Sequence, residues 1–418
     1  MAIGYACVTI GVPGASISGC TLKSATQENI RALIQKNLSA LEKMLDYNIR
    51  NGILLFRISS DLIPFGSHPV NTIEWWRDYR DYFEALGAKI KRAGMRVSMH
   101  PGQYTVINSG DPSVVERSVQ ELLYHARILD ALGMDCKHKI ILHIGGVYGN
   151  KEQAMKSFIH RYLGLPQTVK NRLVIENDER SYNIAEVLQI SEECGAPVVF
   201  DNLHHKINSP TKELSDEEWV KLCSLTWSKG DGRQKIHYSQ QKEKSLPGRH
   251  SDTIFLHPFI EYFTHFAKIT FDIMLEVKDK NLSAMKCNHT IIHTSTASQL
   301  MEEWARYKYY VLSKDGMAYQ AISELLKDGQ KQVAMQFYEM IEGTMSLAEN
   351  SDAQTNAAQY LWAKLIVDST TAERNRYDKL MRDYHTGKAP ITSVKKHLFR
   401  CAVAQKQEHL MQSLYFFL

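Results

Sequence analysis

From residue 3 to about residue 290, short runs of apolar, often β-branched residues alternate with stretches whose apolar positions recur every three to four residues. Ile30, Leu33, Ile34, Leu38, Leu41 and Leu45 repeat at helical spacing, as do Val115, Val119, Leu122, Ala126 and Leu129. Between such helices lie runs of strand length: Ile53–Phe56, Met95–Met99, Lys139–Leu142, Arg172–Ile175, Pro197–Phe200, Gln234–Ile236 and Phe271–Leu275. With a first strand read over Ile3–Ile10, this makes eight strand-then-helix units. Strands apolar on both faces and followed each time by a helix predict an α/β fold, a (β/α)8 TIM barrel. A doubly wound open sheet is the alternative. Near residue 294 the pattern changes to helical periodicity alone, interrupted around Asn350–Asp352 and at Gly387–Pro390. The chain is therefore expected to divide into a barrel over 1–293 and an additional all-α domain over 294–418, with no internal repeat beyond the β/α alternation.

Polar residues stand where the strands end. Met99 is followed by His100, Leu142 by His143, Ile175 by Glu176, Phe200 by Asp201 with His204 beyond it, and Leu275 by Glu276, while Lys235 and His237 alternate on one strand. In a barrel these C-terminal strand ends converge on one mouth, the place where active sites of the fold lie. His68 and His250 join them from loops. So many imidazoles and carboxylates in one place are costly without cations. Nine candidate ligands (His68, His100, His143, Glu176, Asp201, His204, His237, His250 and Glu276) exceed the needs of one ion, so two or three divalent metals are expected, with Glu176 suited to bridge two of them. The absence of cysteine from the set favours manganese, zinc or magnesium over thiolate-bound metals. Ions roughly 3.5–4 Å apart would suit hydrolysis of a phosphodiester, with metal-activated hydroxide attacking in line. Lys235 reads either as a phosphate contact or as a carboxylated lysine supplying an extra anionic ligand. His205 is expected to point away from the site, and His125, His138 and His160 to be solvated.

Composition adds limits. The 418 residues are 44% hydrophobic and 23% charged, ordinary for a globular protein, and the formal charge of +4 permits nucleic-acid binding without arguing for it. Seven scattered cysteines form no CxxC pair, which argues against a disulfide framework or a thiolate zinc site. No basic leader precedes Ile3 and no apolar run approaches the ~20 residues that span a bilayer, so a cytoplasmic, nucleoid-associated protein with no membrane partner is expected.

The ordered segments Phe56-Arg57-Ile58-Ser59-Ser60, Ser98-Met99-His100-Pro101-Gly102-Gln103-Tyr104, His143-Ile144-Gly145-Gly146, Glu176-Asn177-Asp178, Phe200-Asp201-Asn202-Leu203-His204-His205, Lys235-Ile236-His237, Arg249-His250-Ser251-Asp252 and Met274-Leu275-Glu276-Val277-Lys278 resemble the UV damage endonuclease family. The resemblance implies a barrel related to endonuclease IV that holds two or three divalent ions, commonly manganese. It implies DNA repair by nicking the phosphodiester immediately 5′ to a UV photoproduct, leaving a 3′-hydroxyl and a 5′-phosphate. Cyclobutane dimers and 6-4 photoproducts are the implied substrates, with abasic sites a further candidate, all in damaged double-stranded DNA. Carried over position by position, the nine residues above match the metal ligands, Lys235 the modified lysine, and Glu176, Lys235 and His237 the catalytic group. Gln103 and Tyr104 match the pair that probes the lesion, and Tyr5 is a second stacking candidate. Arg57 reads either as a phosphate contact or as part of an ion pair. Competing readings are an abasic-site endonuclease like endonuclease IV, a metal-dependent sugar isomerase of the same barrel superfamily, and a binding protein that has lost turnover.

The helical tail resembles, more loosely, the YbgA-like family through Lys308-Tyr309-Tyr310-Val311-Leu312-Ser313, Tyr384-His385-Thr386-Gly387-Lys388-Ala389-Pro390-Ile391 and the aromatic end Leu414–Phe417. Ser313-Lys314 departs from that family's more usual alanine-histidine pair. Trp304, Tyr307, Tyr338 and Trp362 are expected to form a helix-bundle core, and the tail's role and protein partner are left open.

Overall fold

The computed structural model describes residues 1–266, 270–292, 295–327 and 333–418. The domain boundary expected between residues 293 and 294 lies outside these described residues. The chain divides into two compact units: Met1–Thr9, Gly14–Ile254 and Pro258–Met285 form the first, and Ile10–Pro13, Phe255–His257 and Lys286–Leu418 the second.

The first unit is built on eight strands: β1 (Ile3–Ala6), β2 (Leu55–Arg57), β3 (Arg96–Ser98), β4 (Ile140–His143), β5 (Leu173–Glu176), β6 (Val198–Asp201), β7 (Lys235–Tyr238) and β8 (Asp272–Leu275). Their order is β3-β2-β1-β8-β7-β6-β5-β4, and every pairing in it is parallel. The seam between β3 and β4 is crossed by a parallel bridge from Met99 to Ile140, with Met99 N–H donating to Lys139 O at 2.9 Å and Ile141 N–H to Met99 O at 3.0 Å. An open sheet would leave both of those strands as edges. The eight strands thus form a nearly closed TIM barrel rather than a doubly wound sheet.

Local chemistry accounts for the elements. Thr26 accepts a hydrogen bond from Asn29 N–H and starts the helix Gln27–Arg50, which turns Ile30, Ile34, Leu38, Leu41 and Leu45 into the core. Asn183 and Glu186 form a reciprocal capping box on Ile184–Cys194, and Gly195, at φ 75°, ends that helix in the left-handed conformation. The first strand is shorter than the expected Ile3–Ile10. Cys7 takes φ 70°, a left-handed conformation outside the extended range, so the strand ends at Ala6 although Cys7 N–H still donates to Arg57 O at 2.8 Å.

The second unit is helical, with Ala297–Leu312, Gly316–Lys327, Ala334–Met345, Ser351–Leu365, Thr371–His385 and Ile391–Ala404 as its main helices. Asn350 caps one helix start, while Gly387 at φ 70° and Pro390 separate the last two, as the pattern breaks predicted. Trp304, Tyr307, Tyr338 and Trp362 are all buried, and Trp362 stacks on Tyr377 with ring centroids 4.3 Å apart. Among the described residues no helix is long and apolar enough to cross a membrane.

Candidate metal centre

Parallel register brings the strand-end residues side by side: His143 on β4 pairs with Glu176 on β5, and Asp201 on β6 with His237 on β7. Glu176 is the hub. Its Oε1 accepts from His237 Nδ1 at 2.5 Å, and its Oε2 lies 3.3 Å from His100 Nε2 and 3.7 Å from His143 Nε2. Three groups of potential ligand atoms, each within 4.8 Å of one another, share it: His100–His143–Glu176, Glu176–Asp201–His204 and Glu176–His237–Glu276.

The surrounding residues hold this set in place. Asp201 Oδ1 caps the helix Asn202–Ile207 by accepting from His204 N–H at 2.8 Å, which leaves Oδ2 free to face the site. Asn177, directly after Glu176, clamps both neighbours: its side chain exchanges hydrogen bonds with the Asp201 backbone, and its carbonyl accepts His204 Nδ1–H at 3.0 Å. That bond fixes the imidazole so that Nε2 points outward, 3.7 Å from Glu179. Asn177 entered the sequence reading only within the segment Glu176-Asn177-Asp178, with no role of its own, and Glu179 did not stand out. His100 Nδ1 is likewise held by Pro101 O at 3.0 Å.

The electrostatics are those of a cation site. Glu176 Oε2 and Asp201 Oδ2 are buried oxygens with no hydrogen-bond partner, an arrangement that is expensive unless a cation supplies the missing interaction. Burial pushes the Glu176 carboxyl up, yet His237, His143 and His100 overcome this and hold it well below the usual range. Burial raises Asp201 and pulls His143 down to about 4, leaving that imidazole neutral, as a metal ligand must be. For His204 the downward effect of burial is overcome by Asp201, Glu176 and Glu276, and its pKa rises to about 9. An all-imidazole and carboxylate donor set with unpaired anionic oxygens fits manganese, zinc or magnesium.

The other expected site residues are placed differently. His250 approaches the group only to 4.0 Å, through Nε2 to Glu276 Oε2. His68 stands outside all three groups, in a cleft of about 1160 Å³ that Tyr104 also lines. Its Nδ1 accepts from Val70 N–H at 3.1 Å. Lys235 is fully buried, its Nζ has no hydrogen-bond partner, and burial draws its pKa far down. Gln103 is exposed and Tyr104 is 70% exposed, which suits contact with a large ligand. Tyr5 is fully buried instead, its hydroxyl bonded to Asn48 Oδ1 at 2.7 Å and its ring packed on Phe56, a placement that does not support base stacking. Arg57 makes a buried ion pair with Glu276 at 2.7 Å. His205 packs on Phe200 and Trp219, away from the cluster, as expected. Of the histidines expected in solvent, His160 is exposed, His138 is mostly covered, and His125 is wholly buried, donating Nδ1–H to Glu121 O at 2.7 Å.

Residues 3–304 match the family model described as UV-endonuclease UvdE, and residues 308–418 match one described as Protein of unknown function (DUF1722). A UV DNA damage endonuclease of Clostridium perfringens (strain 13 / Type A) is 42% identical over 332 residues, covering 78% of this chain and 80% of that protein. One from Bacillus cereus (strain Q1) is 34% identical over 272 residues, covering 64% and 85%. The crystal structure of SacUVDE aligns with a TM-score of 0.64 at 38% identity, over 68% of this chain and 96% of that one. The chain therefore belongs to the UV DNA damage endonuclease family of DNA repair enzymes.

Proposed function

We propose that the chain nicks damaged double-stranded DNA immediately 5′ to UV photoproducts in a divalent-metal-dependent reaction, leaving a 3′-hydroxyl and a 5′-phosphate. In this reading residues 1–293 carry the nuclease and residues 294–418 form a separate domain of open role. The observation that carries the metal requirement is that Glu176 belongs to all three ligand groups while its Oε2 lacks a hydrogen-bond partner.

Two or three bound ions, with manganese the first candidate, would supply charge stabilisation and an activated water for phosphodiester hydrolysis. Glu176, His100, His143, Asp201, His204, His237 and Glu276 would hold them, Glu176 being shared by all three groups and so suited to bridge two ions. His68 and His250 complete the proposed ligand set from loops, with His250 Nε2 4.0 Å from Glu276 Oε2. The unpartnered Lys235 amine, which burial biases toward its uncharged form, suits carboxylation: its nitrogen lone pair forms the bond to carbon dioxide, a proton leaves, and the carbamate adds a negative charge to the mouth. Gln103 and Tyr104 would enter the space vacated by the lesion, because a photoproduct that stacks poorly leaves the helix more readily than an intact step.

One gel tests this. Ultraviolet-irradiated, abasic and undamaged duplexes are incubated with manganese or with chelator, using the unaltered chain and Glu176→Gln. The expected result is a metal-dependent nick on the irradiated duplex whose 3′ end a polymerase extends, and no nick from Glu176→Gln. Cutting of the abasic duplex alone would favour the endonuclease IV-like reading. Unchanged nicking by Glu176→Gln would remove the bridging role.

A further inference from the structure

Arg57 sits inside the ligand cluster. Only 6% exposed, it reaches from the end of β2 so that one guanidinium nitrogen lies 2.7 Å from Glu276 Oε1 and 2.8 Å from His237 Nε2. A guanidinium carries donors only, so His237 Nε2 must accept there. The other nitrogen, Nδ1, then carries the ring proton and donates it to Glu176 Oε1 at 2.5 Å. Both nitrogens of His237 are thereby occupied by hydrogen bonds, and neither has a lone pair left for an ion.

This is an unusual neighbour for a metal-binding imidazole, whose second nitrogen ordinarily donates to a carboxylate or carbonyl. His204 and His100 show the ordinary pattern, each with Nδ1 on a backbone carbonyl. In those two Nε2 is the remaining nitrogen, 3.3 Å from Glu176 Oε2 for His100 and 3.7 Å from Glu179 Oε2 for His204. The three ligand groups are therefore unequal: two have imidazoles oriented for an ion, and the group Glu176–His237–Glu276 already holds a cation in the form of Arg57.

We propose that Arg57 is an internal competitor for the Glu176–His237–Glu276 position, so that this position fills last and only when the guanidinium swings off His237. The proposal rests on the metal-centre reading above and refines it. Arg57 balances the charge of Glu276 in the unfilled state and repels an incoming ion until it moves. Glu276 keeps a second oxygen, Oε2, that the pair with Arg57 leaves available, so the residue can exchange partners without being stranded.

Two measurements test it. In equilibrium dialysis of the full chain against manganese, with bound metal counted by elemental analysis, the weakest binding step of Arg57→Gln is expected to tighten at least tenfold over the unaltered chain. Glutamine keeps a donor for Glu276 without the charge. Arg57→Lys, which keeps the cation, should stay within about threefold of the unaltered chain in that step. An Arg57→Gln isotherm that overlays the unaltered one, or that loses an ion, overturns the proposal. Failure of the unaltered chain to bind manganese at all would overturn the metal reading itself, which the two isotherms distinguish. The second measurement needs no variant: anomalous scattering from crystals at low and saturating manganese. Arg57 should lie on His237 where the Glu176–His237–Glu276 position is empty and be displaced where it is filled. An ion on those three residues with the guanidinium still bonded to His237 Nε2 sinks the idea.

Discussion

Tyr104 and His125 show how differently two residues near one site can behave. Tyr104 is 70% exposed, so truncating it to alanine should change folding stability by less than about 0.5 kcal/mol. If it stacks on bases at the lesion, that contact is worth about 1–3 kcal/mol, and kcat/KM on irradiated duplex should fall roughly 5- to 150-fold. A thermal melt alongside lesion-nicking rates checks both halves, and a variant that nicks at the original rate removes the wedge role. His125 is the opposite case. It is enclosed between Glu121, whose carbonyl it bonds and whose carboxylate lies 3.7 Å away, and Ser60 Oγ at 2.9 Å. Burial lowers its pKa to about 4, below the ~6.5 of an unfolded chain. The unfolded state therefore takes up the proton first. The stability His125 contributes is complete above about pH 6.5 and is lost as pH falls toward 4, by about 3 kcal/mol over that window. The urea midpoint should fall further between pH 7.5 and pH 4.5 for the unaltered chain than for His125→Asn. Parallel pH dependences would show that this imidazole is not the titrating group. Its burial was not legible in the sequence, because a polar residue in a helix buries or not according to what packs on it, here the loop carrying Ser60.

At the scale of elements, the sheet depends on one close approach. A Cβ on Gly4 would sit against the Leu55 carbonyl oxygen, well inside van der Waals contact, with the Leu55 Cβ at 2.7 Å. Gly4→Ala should push β1 from β2 and destabilise the first unit by about 3 kcal/mol. A urea midpoint for Gly4→Ala indistinguishable from the unaltered chain would show that the two strands can shift at little cost. The same strands show what the pattern of the chain reveals. Apolar runs marked all eight strands, because parallel strands are covered on both faces and read as nearly continuous hydrophobic stretches. The ends drifted by a residue or two, as with Lys235–Tyr238 against the expected Gln234–Ile236, since ladder bonds rather than hydrophobicity set them. The site was legible for a related reason: a residue just past a strand's apolar run faces the barrel mouth whatever its neighbours do, which places His100, His143, Glu176, Asp201 and Glu276. Residues delivered by loops or by strand faces were harder. His68 lies in a cleft apart from the three groups, Tyr5 turned into the core, and Arg57 turned into the cluster, because side-chain direction there is decided by tertiary packing that no local period records.

On the scale of the whole chain, the second unit is not simply the last third of the sequence. It takes in Ile10–Pro13 and Phe255–His257 as well as Lys286–Leu418. Within it, Glu342 accepts from the buried Leu256 N–H at 3.1 Å and from Lys286 Nζ at 2.7 Å, and Arg306 donates to Ile10 O at 3.2 Å. A cut at residue 304, the end of the UvdE match, removes both Glu342 and Arg306 while leaving the segments they hold. Losing two or three such bonds, some of them to charged groups, corresponds to on the order of 3 kcal/mol. For a chain of this size that is a drop of about 3–5 °C in the melting temperature. Calorimetry of residues 1–304 beside the full chain measures it. If the truncated chain melts where the full chain's first transition does, the segments Ile10–Pro13 and Phe255–His257 are passengers, and the second unit can be removed cleanly to ask what it adds to nicking. If it melts lower, as expected, a loss of activity on truncation reports stability before it reports function. The role of the helical unit is then better sought by substitutions on its exposed surface in the intact chain.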